Sequence, residues 1–248
     1  MISETLYIAG HFIQILSYGL IAERVSRKGS VLGLSCDFVA YSFLWLTASC
    51  IYGASYLISS KLAAQYSKRY PLYTSYYTSP IVVLLDSVGS IVTFYLAWQT
   101  FKKFKGSRRH HEALSLPFYF FSSLLGCGLL VLVWYYLHGW ATLNELDIAN
   151  YFYVISYFGA IFRLIPQCST NWYFSRFHVL HRHYLLVQTL STFFLTASLL
   201  HYKVNNQEWY ELPTNILSSE TLLVTWVCLA ILLYQSQIYK GGKKILPQ

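Results

Sequence analysis

Charge is what this sequence has least of. Only 11% of its 248 residues are Asp, Glu, Lys or Arg, against 55% that are hydrophobic, whereas a soluble domain carries roughly a quarter charged residues. That deficit leaves too little polar surface for a fold bathed in water, and it argues against a soluble domain or a soluble enzyme. Acids are scarcer still than bases, 10 against 18, for a formal charge of +8. Such a surplus can mark a nucleic-acid binder, but the bases here form short clusters between long apolar runs rather than one polar face. They read as the flanks of membrane helices, so lipid and not nucleic acid is the expected surrounding.

Further absences narrow the field. The five cysteines (Cys36, Cys50, Cys127, Cys168, Cys228) are scattered, each within or at the edge of an apolar run. They have neither metal-ligand spacing nor a paired framework, and they read as small buried apolar residues. There is no Gly-rich phosphate loop, nucleophile elbow, His-Glu-x-x-His or carboxylate pair at catalytic spacing, so no enzyme, cofactor or metal is expected. No Asn-x-Ser/Thr sequon reports sidedness. The first apolar run begins almost at Met1 without a basic leader or a small-residue cleavage site, which favours a retained span over a removed signal peptide.

What the chain does have is length of apolar run. A membrane helix needs about 20 mostly apolar residues. Seven runs qualify: Thr5 to Ala22, Leu32 to Ser59, Pro80 to Phe101, Leu116 to Leu137, Ile148 to Ser169, Tyr184 to Tyr202 and Leu217 to Tyr239. The expected fold class is therefore an all-α integral membrane domain of seven spans. Arg24, Arg27 and Lys28 follow the first span and Lys102, Lys103, Lys105, Arg108 and Arg109 the third. Arg176 and Arg182 follow the fifth, and Lys240, Lys243 and Lys244 the seventh. The other side carries Glu145, Asp147, Glu208 and Glu211. Because basic loops stay cytosolic, the N-terminus is expected to be luminal and the C-terminus cytosolic. Lys61, Lys68 and Arg69 after the second span argue against this orientation.

The third span ends on Trp98-Gln99 and the seventh on Tyr234-Gln235, each shortly before lysines. An aromatic residue followed by Gln at both exits suggests two similar triplets, residues 5–103 and 148–240, joined by a linker helix at 116–138. Parallel repeats of this kind build transporters.

The most informative stretch runs Arg163-Leu164-Ile165-Pro166-Gln167-Cys168-Ser169-Thr170-Asn171. Proline in a span frees a backbone carbonyl and makes a hinge, Gln167 can both donate and accept, and Arg163 adds a cation one turn earlier. The competing reading is a kink near a helix end with an interfacial arginine. Arg-Leu-Ile-Pro-Gln with Asn four residues beyond the Gln resembles the second PQ-loop motif of the PQ-loop membrane proteins. Ser30-Val31-Leu32-Gly33-Leu34-Ser35-Cys36-Asp37-Phe38 resembles the entry to the second helix in the cystinosin branch of that family. The resemblance covers most of the membrane region and implies two three-helix repeats in a 3+1+3, SWEET-like arrangement.

This sequence departs from the family at four places. The first Pro-Gln pair falls on Leu20-Ile21, the Gly-x-Ser element after the second PQ loop is lost among His178, His181 and His183, the acid of the sixth helix falls on Gln188, and that of the seventh falls near Cys228. Of the acids inside spans, Asp37 matches a family acid, while Asp86 is flanked by apolar residues. Ionisable groups at this depth cost at least about 2.5–3.5 kcal/mol and are functional candidates. Against that, Asp37 could cap the second helix, and Asp86 could be a structural partner of Arg163 or of a serine across the bundle. Glu220 reads as interfacial. His178, His181 and His183 with Arg182, and His110 and His111 with Arg108 and Arg109, read as basic loops facing anionic lipid rather than metal ligands. The 23 tyrosines, among them Tyr70, Tyr73, Tyr76, Tyr77, Tyr151, Tyr153 and Tyr157, cluster at span ends as interfacial anchors do.

The resemblance implies a transporter of a vacuolar, lysosomal or endosomal membrane that exports cystine or another amino acid, with or without protons. Asp37 and Asp86 would carry protons or bind the substrate ammonium, Pro166 would hinge, and Gln167, Asn171, Arg163 and Gln188 would belong to the path. The alternative is a non-transporting relative, a lipid scramblase or a Golgi or endosomal trafficking factor, which the missing motif and acids favour.

Overall fold

The computed structural model describes residues 2–71, 76–108, 112–139, 143–175, 177, 180, 182–205 and 213–239. Tyr73, Arg109, His110, His111, Arg176, His178, His181, Glu208, Glu211, Lys240, Lys243 and Lys244 lie outside the described residues, as does the Arg182 side chain.

Nine α-helices are described: α1 Ile2–Lys28, α2 Cys36–Ile58, α3 Ser60–Arg69, α4 Pro80–Trp98, α5 Leu116–Leu137, α6 Glu145–Phe162, α7 Ile165–Phe174, α8 Arg182–Val204 and α9 Ser219–Ile238. A π-helical turn, Gln99–Lys103, extends α4. Seven spans are long and apolar enough to cross a membrane, with α6 and α7 counted as one broken span, and no strand occurs among the described residues. The chain is thus an all-helical protein with the character of a multi-pass membrane protein.

Three boundaries differ from the sequence expectation. The second span starts at Cys36, not Leu32, because Ser35 takes the N-cap and its hydroxyl accepts from Phe38 N–H. The charged stretch after it folds as α3, which Ser59 caps and whose Leu62 and Tyr66 face inward. The fifth span breaks at Arg163-Leu164, with Pro166 in the first turn of α7, where a missing N–H costs nothing.

Burial is inverted relative to a soluble protein. Leu84, Ile91, Phe94, Leu124, Leu130, Trp134 and Leu223 point outward, whereas His11, Gln14, Ser17, Asp86, Arg163, Gln167 and Gln188 are buried. Apolar solvent around the bundle accounts for both halves of that pattern. Cys36, Cys168 and Cys228 are buried as expected, but Cys127 is exposed, because α5 buries only Leu125. The outward face of a peripheral span is as apolar as a core.

Helix α1 packs on α8 and α4, and α2 packs on α6 and α4, while α9 packs on α8 and α6. Small residues permit the closest crossings. A Cβ on Gly159 of α6 would come within 3.0 Å of the Trp45 backbone on α2, and one on Gly10 of α1 would meet Leu195 of α8 at 2.9 Å.

Candidate functional site

Four buried residues on α1, Tyr7, His11, Gln14 and Tyr18, recur at helical spacing and form a polar stripe aimed into the bundle. His11 Nε2 lies 2.8 Å from Asp86 Oδ1 on α4, and Ser49 of α2 donates its hydroxyl to the other carboxylate oxygen at 2.6 Å. Three helices are thereby joined at one carboxylate. Tyr7 stacks on the His11 ring, and Trp45 meets that ring edge-on. His11 Nδ1 is buried without a hydrogen-bond partner among the described residues.

On α1 one turn further along, Gln14 and Tyr18 hold Arg163. The guanidinium donates to the Tyr18 hydroxyl at 2.9 Å and lies 4.5 Å over the Trp45 ring. In the amide orientation its surroundings require, Gln14 Oε1 accepts from both terminal nitrogens of Arg163 and from Gln188 Nε2. Ser17 donates to Gln188 Oε1 at 3.0 Å. Among the described residues no carboxylate comes within 4 Å of Arg163. Its surroundings are neutral, and Trp45 stands between it and the His11–Asp86 pair.

Gln167 works at a different level. Its amide accepts from Ser35 N–H and donates to Gly33 O and Asn171 Oδ1, all at 2.9 Å. Asn171 in turn donates to Gln235, which donates to Cys168 O. The break before α7 delivers Gln167 to the unwound entry of α2, where it clamps α7 to α2. Gln99, at the exit of α4, donates to Ser26 of α1. Asp37 is elsewhere again. It does not cap its own helix, a task Ser35 performs, but accepts from Ser115 N–H at 2.9 Å and ties the start of α5 to α2. On α2 it stands twelve residues from Ser49, about 18 Å along the axis.

The sequence candidates therefore occupy separate settings rather than one cavity. Asp86 has the serine partner across the bundle that the structural reading anticipates. His11 escaped the sequence reading, and only its 4-3-4 spacing with Tyr7, Gln14 and Tyr18 could have marked it.

The end opposite the clamp is open. A cavity of about 450 Å³ is lined by Tyr52, Tyr56, Tyr66, Tyr70, Tyr153 and Lys203, among others. Tyr70 and Tyr153, two of the tyrosines read as interfacial anchors, line this vestibule. Burial raises the Tyr66 phenol above its ordinary value, with Tyr70 adding to the effect, which keeps it neutral and able to donate. The vestibule shares Tyr52, Tyr153, Ile216, Leu217 and Ser218 with a deeper chamber of about 20 Å³ that ends on His11, Trp45 and Ser49. That inner volume holds about one water. Beside the vestibule, Arg69 makes a two-pronged ion pair with Asp147 at 2.5 and 3.1 Å, which favours the charged guanidinium, and Lys61 lies 3.6 Å from Glu145.

Among the described residues no group of three or more His, Cys, Asp or Glu could hold a metal ion. No family model matches the chain, and no curated protein is significantly similar to it.

Proposed function

We propose that this protein is a membrane transporter for an amino-acid-sized solute, cystinosin-like in its architecture, that exports cystine or another amino acid from a vacuolar, lysosomal or endosomal lumen. One observation carries the reading: a vestibule large enough for such a solute leads through a water-sized chamber to His11 and Ser49, the two partners of the buried Asp86. A polar path that is wide at one end and closed at the other is what one half of an alternating-access cycle requires.

In this scheme Asp86 and Arg163 are the charges at the centre and Gln188 secures the arginine. Gln167 and Asn171 form the closed gate, and Pro166 lets α7 swing it away. Asp37 couples the linker helix to the first triplet. The two-triplet reading is supported by the pairing of helices, which maps onto itself when α1, α2 and α4 are exchanged for α6–α7, α8 and α9. It is supported again by Gln99 and Gln235, each of which bonds to the first span of its own triplet. A luminal N-terminus is supported by Arg24, Arg27, Lys28, Lys102 and Lys103 at the gated end. Of the three loop charges that argued against it, Lys61 and Arg69 pair with Glu145 and Asp147, which leaves Lys68 to count against the orientation.

Uptake of labelled cystine and other amino acids into proteoliposomes at two luminal pH values tests the proposal. Uptake that is lost in Asp86→Asn and Gln167→Ala is the expected result, and no uptake by the parent protein of any amino acid would refute it. A second reading, lipid scrambling, has one observation in its favour: a largely apolar hollow of about 320 Å³ beside α5, lined by Phe118, Phe121 and Phe162 with Asp37 at its polar edge. Transfer of a fluorescent lipid between leaflets without any solute or gradient would select it.

A further inference from the structure

Three charged or chargeable groups meet at the middle of the bundle, and their charges do not balance in every state. Among the described residues Asp86 is the carboxylate that meets His11 directly, and Trp45 touches both His11 and Arg163. With His11 neutral, one anion and one cation are present. With His11 protonated, two cations share one anion.

The geometry of the imidazole identifies where a proton would enter. A neutral His11 that donates from Nε2 to Asp86 leaves Nδ1 as a bare lone pair, and this atom is buried with no partner among the described residues. A buried acceptor left without a partner is unfavourable, and a proton or a water at that atom relieves it. His11 also lines the chamber that holds about one water, and that chamber adjoins the vestibule through Tyr52 and Tyr153. Imidazole is the side chain whose charge changes between pH 5 and 8.

We propose that His11 is the proton-binding group of the bundle: it takes a proton from vestibule water at Nδ1 while Asp86, held by Ser49, serves as its fixed counter-ion. The N–H bond forms at Nδ1, the water is left as hydroxide or is reprotonated from bulk, and Nε2 keeps its hydrogen bond to the carboxylate. The remaining titratable and charged groups around the ring are Tyr7 from α1, Tyr52 from α2, Tyr153 and Tyr157 from α6, and Arg163 beyond Trp45. Helices α8 and α9 bring Ser191, Leu195 and Thr221 to this level, none of which titrates. Among the described residues Asp86 is the carboxylate in direct contact with the ring and stabilises the imidazolium, and Arg163 opposes it. Each protonation therefore leaves a net positive centre, which favours admission of a solute carboxylate. This last consequence rests on the transport reading; the protonation itself does not.

The two can be separated in one set of samples. Full-length protein labelled with ¹³C in the histidine rings, reconstituted in lipid nanodiscs, is titrated from pH 4.5 to 8.5 by NMR, and the His11 signal is identified by its absence in His11→Gln. The expected result is a His11 signal that titrates within this range and whose midpoint falls by about one unit or more in Asp86→Asn, as loss of a close counter-ion requires. A His11 signal that does not titrate, or that keeps its midpoint in Asp86→Asn, overturns the proposal. If His11→Gln misfolds, the His11 signal is identified by its absence in His11→Asn instead, and the same criterion applies. In proteoliposomes, a parent protein that transports with a pH dependence unchanged in His11→Gln overturns the proton role while leaving transport standing. Absence of transport with an intact titration does the reverse.

Discussion

The two ends of this helix bundle are built from different materials. The Gln167 end is tied together by amides: Gln167, Asn171 and Gln235 bond to one another and to the backbone at Gly33, Ser35 and Cys168, with every partner buried or nearly so. The vestibule end is lined by tyrosine rings in tilted or edge-on contact, such as Tyr56 on Tyr66 and Tyr66 on Tyr70, around a space they do not fill. Amide networks are directional and fail together when one member is lost. Ring packing yields gradually. A firmly tied end and a yielding one follow from that choice of side chain.

The contrast predicts unequal responses to mutation at the two ends. The largest effect is expected for Gln167→Ala, which strands Ser35 N–H, Gly33 O and the Asn171 amide. At about 1–3 kcal/mol for each unsatisfied buried group, the loss should exceed about 2 kcal/mol and show as a marked fall in thermal midpoint in nanodiscs. An unchanged midpoint would mean that the clamp is decoration. At the vestibule end, Asp147→Asn breaks a partly exposed ion pair with Arg69 and should cost less than about 1 kcal/mol. High salt should shrink the difference between Asp147→Asn and parent; a loss as large as that at Gln167 would erase the contrast.

The spans were legible because length and hydropathy alone define them. Pro166 announced the break in the fifth span because a ring without an N–H has few places in a helix. The site was legible only in pieces. Arg163, Gln167 and Asp86 stood out as polar residues in apolar runs, but their partners lie far away in sequence: Gln14 and Tyr18 for the arginine, Gly33 and Ser35 for the amide, His11 and Ser49 for the acid. Local pattern carries no information about such pairings. His11 was hidden for a related reason, since a single histidine in an apolar run looks the same whether it faces lipid or a carboxylate. Helix α3 was hidden by its charge, which reads as loop until Lys61 and Arg69 are seen to meet Glu145 and Asp147.

The central claim, a path open at one end and closed by Gln167 at the other, is tested most directly by sided thiol labelling. In a chain whose five native cysteines are replaced by Ala, Asn150→Cys on the vestibule wall and Ser35→Cys behind the gate are each exposed to an impermeant thiol reagent from either face of the membrane. The account predicts rapid labelling of Asn150→Cys from the vestibule face alone. It predicts that Ser35→Cys stays unreactive from both faces until Gln167→Ala is added, when it reacts from the gated face. Free labelling of Ser35→Cys with Gln167 intact, or an Asn150→Cys that no reagent reaches, would contradict it.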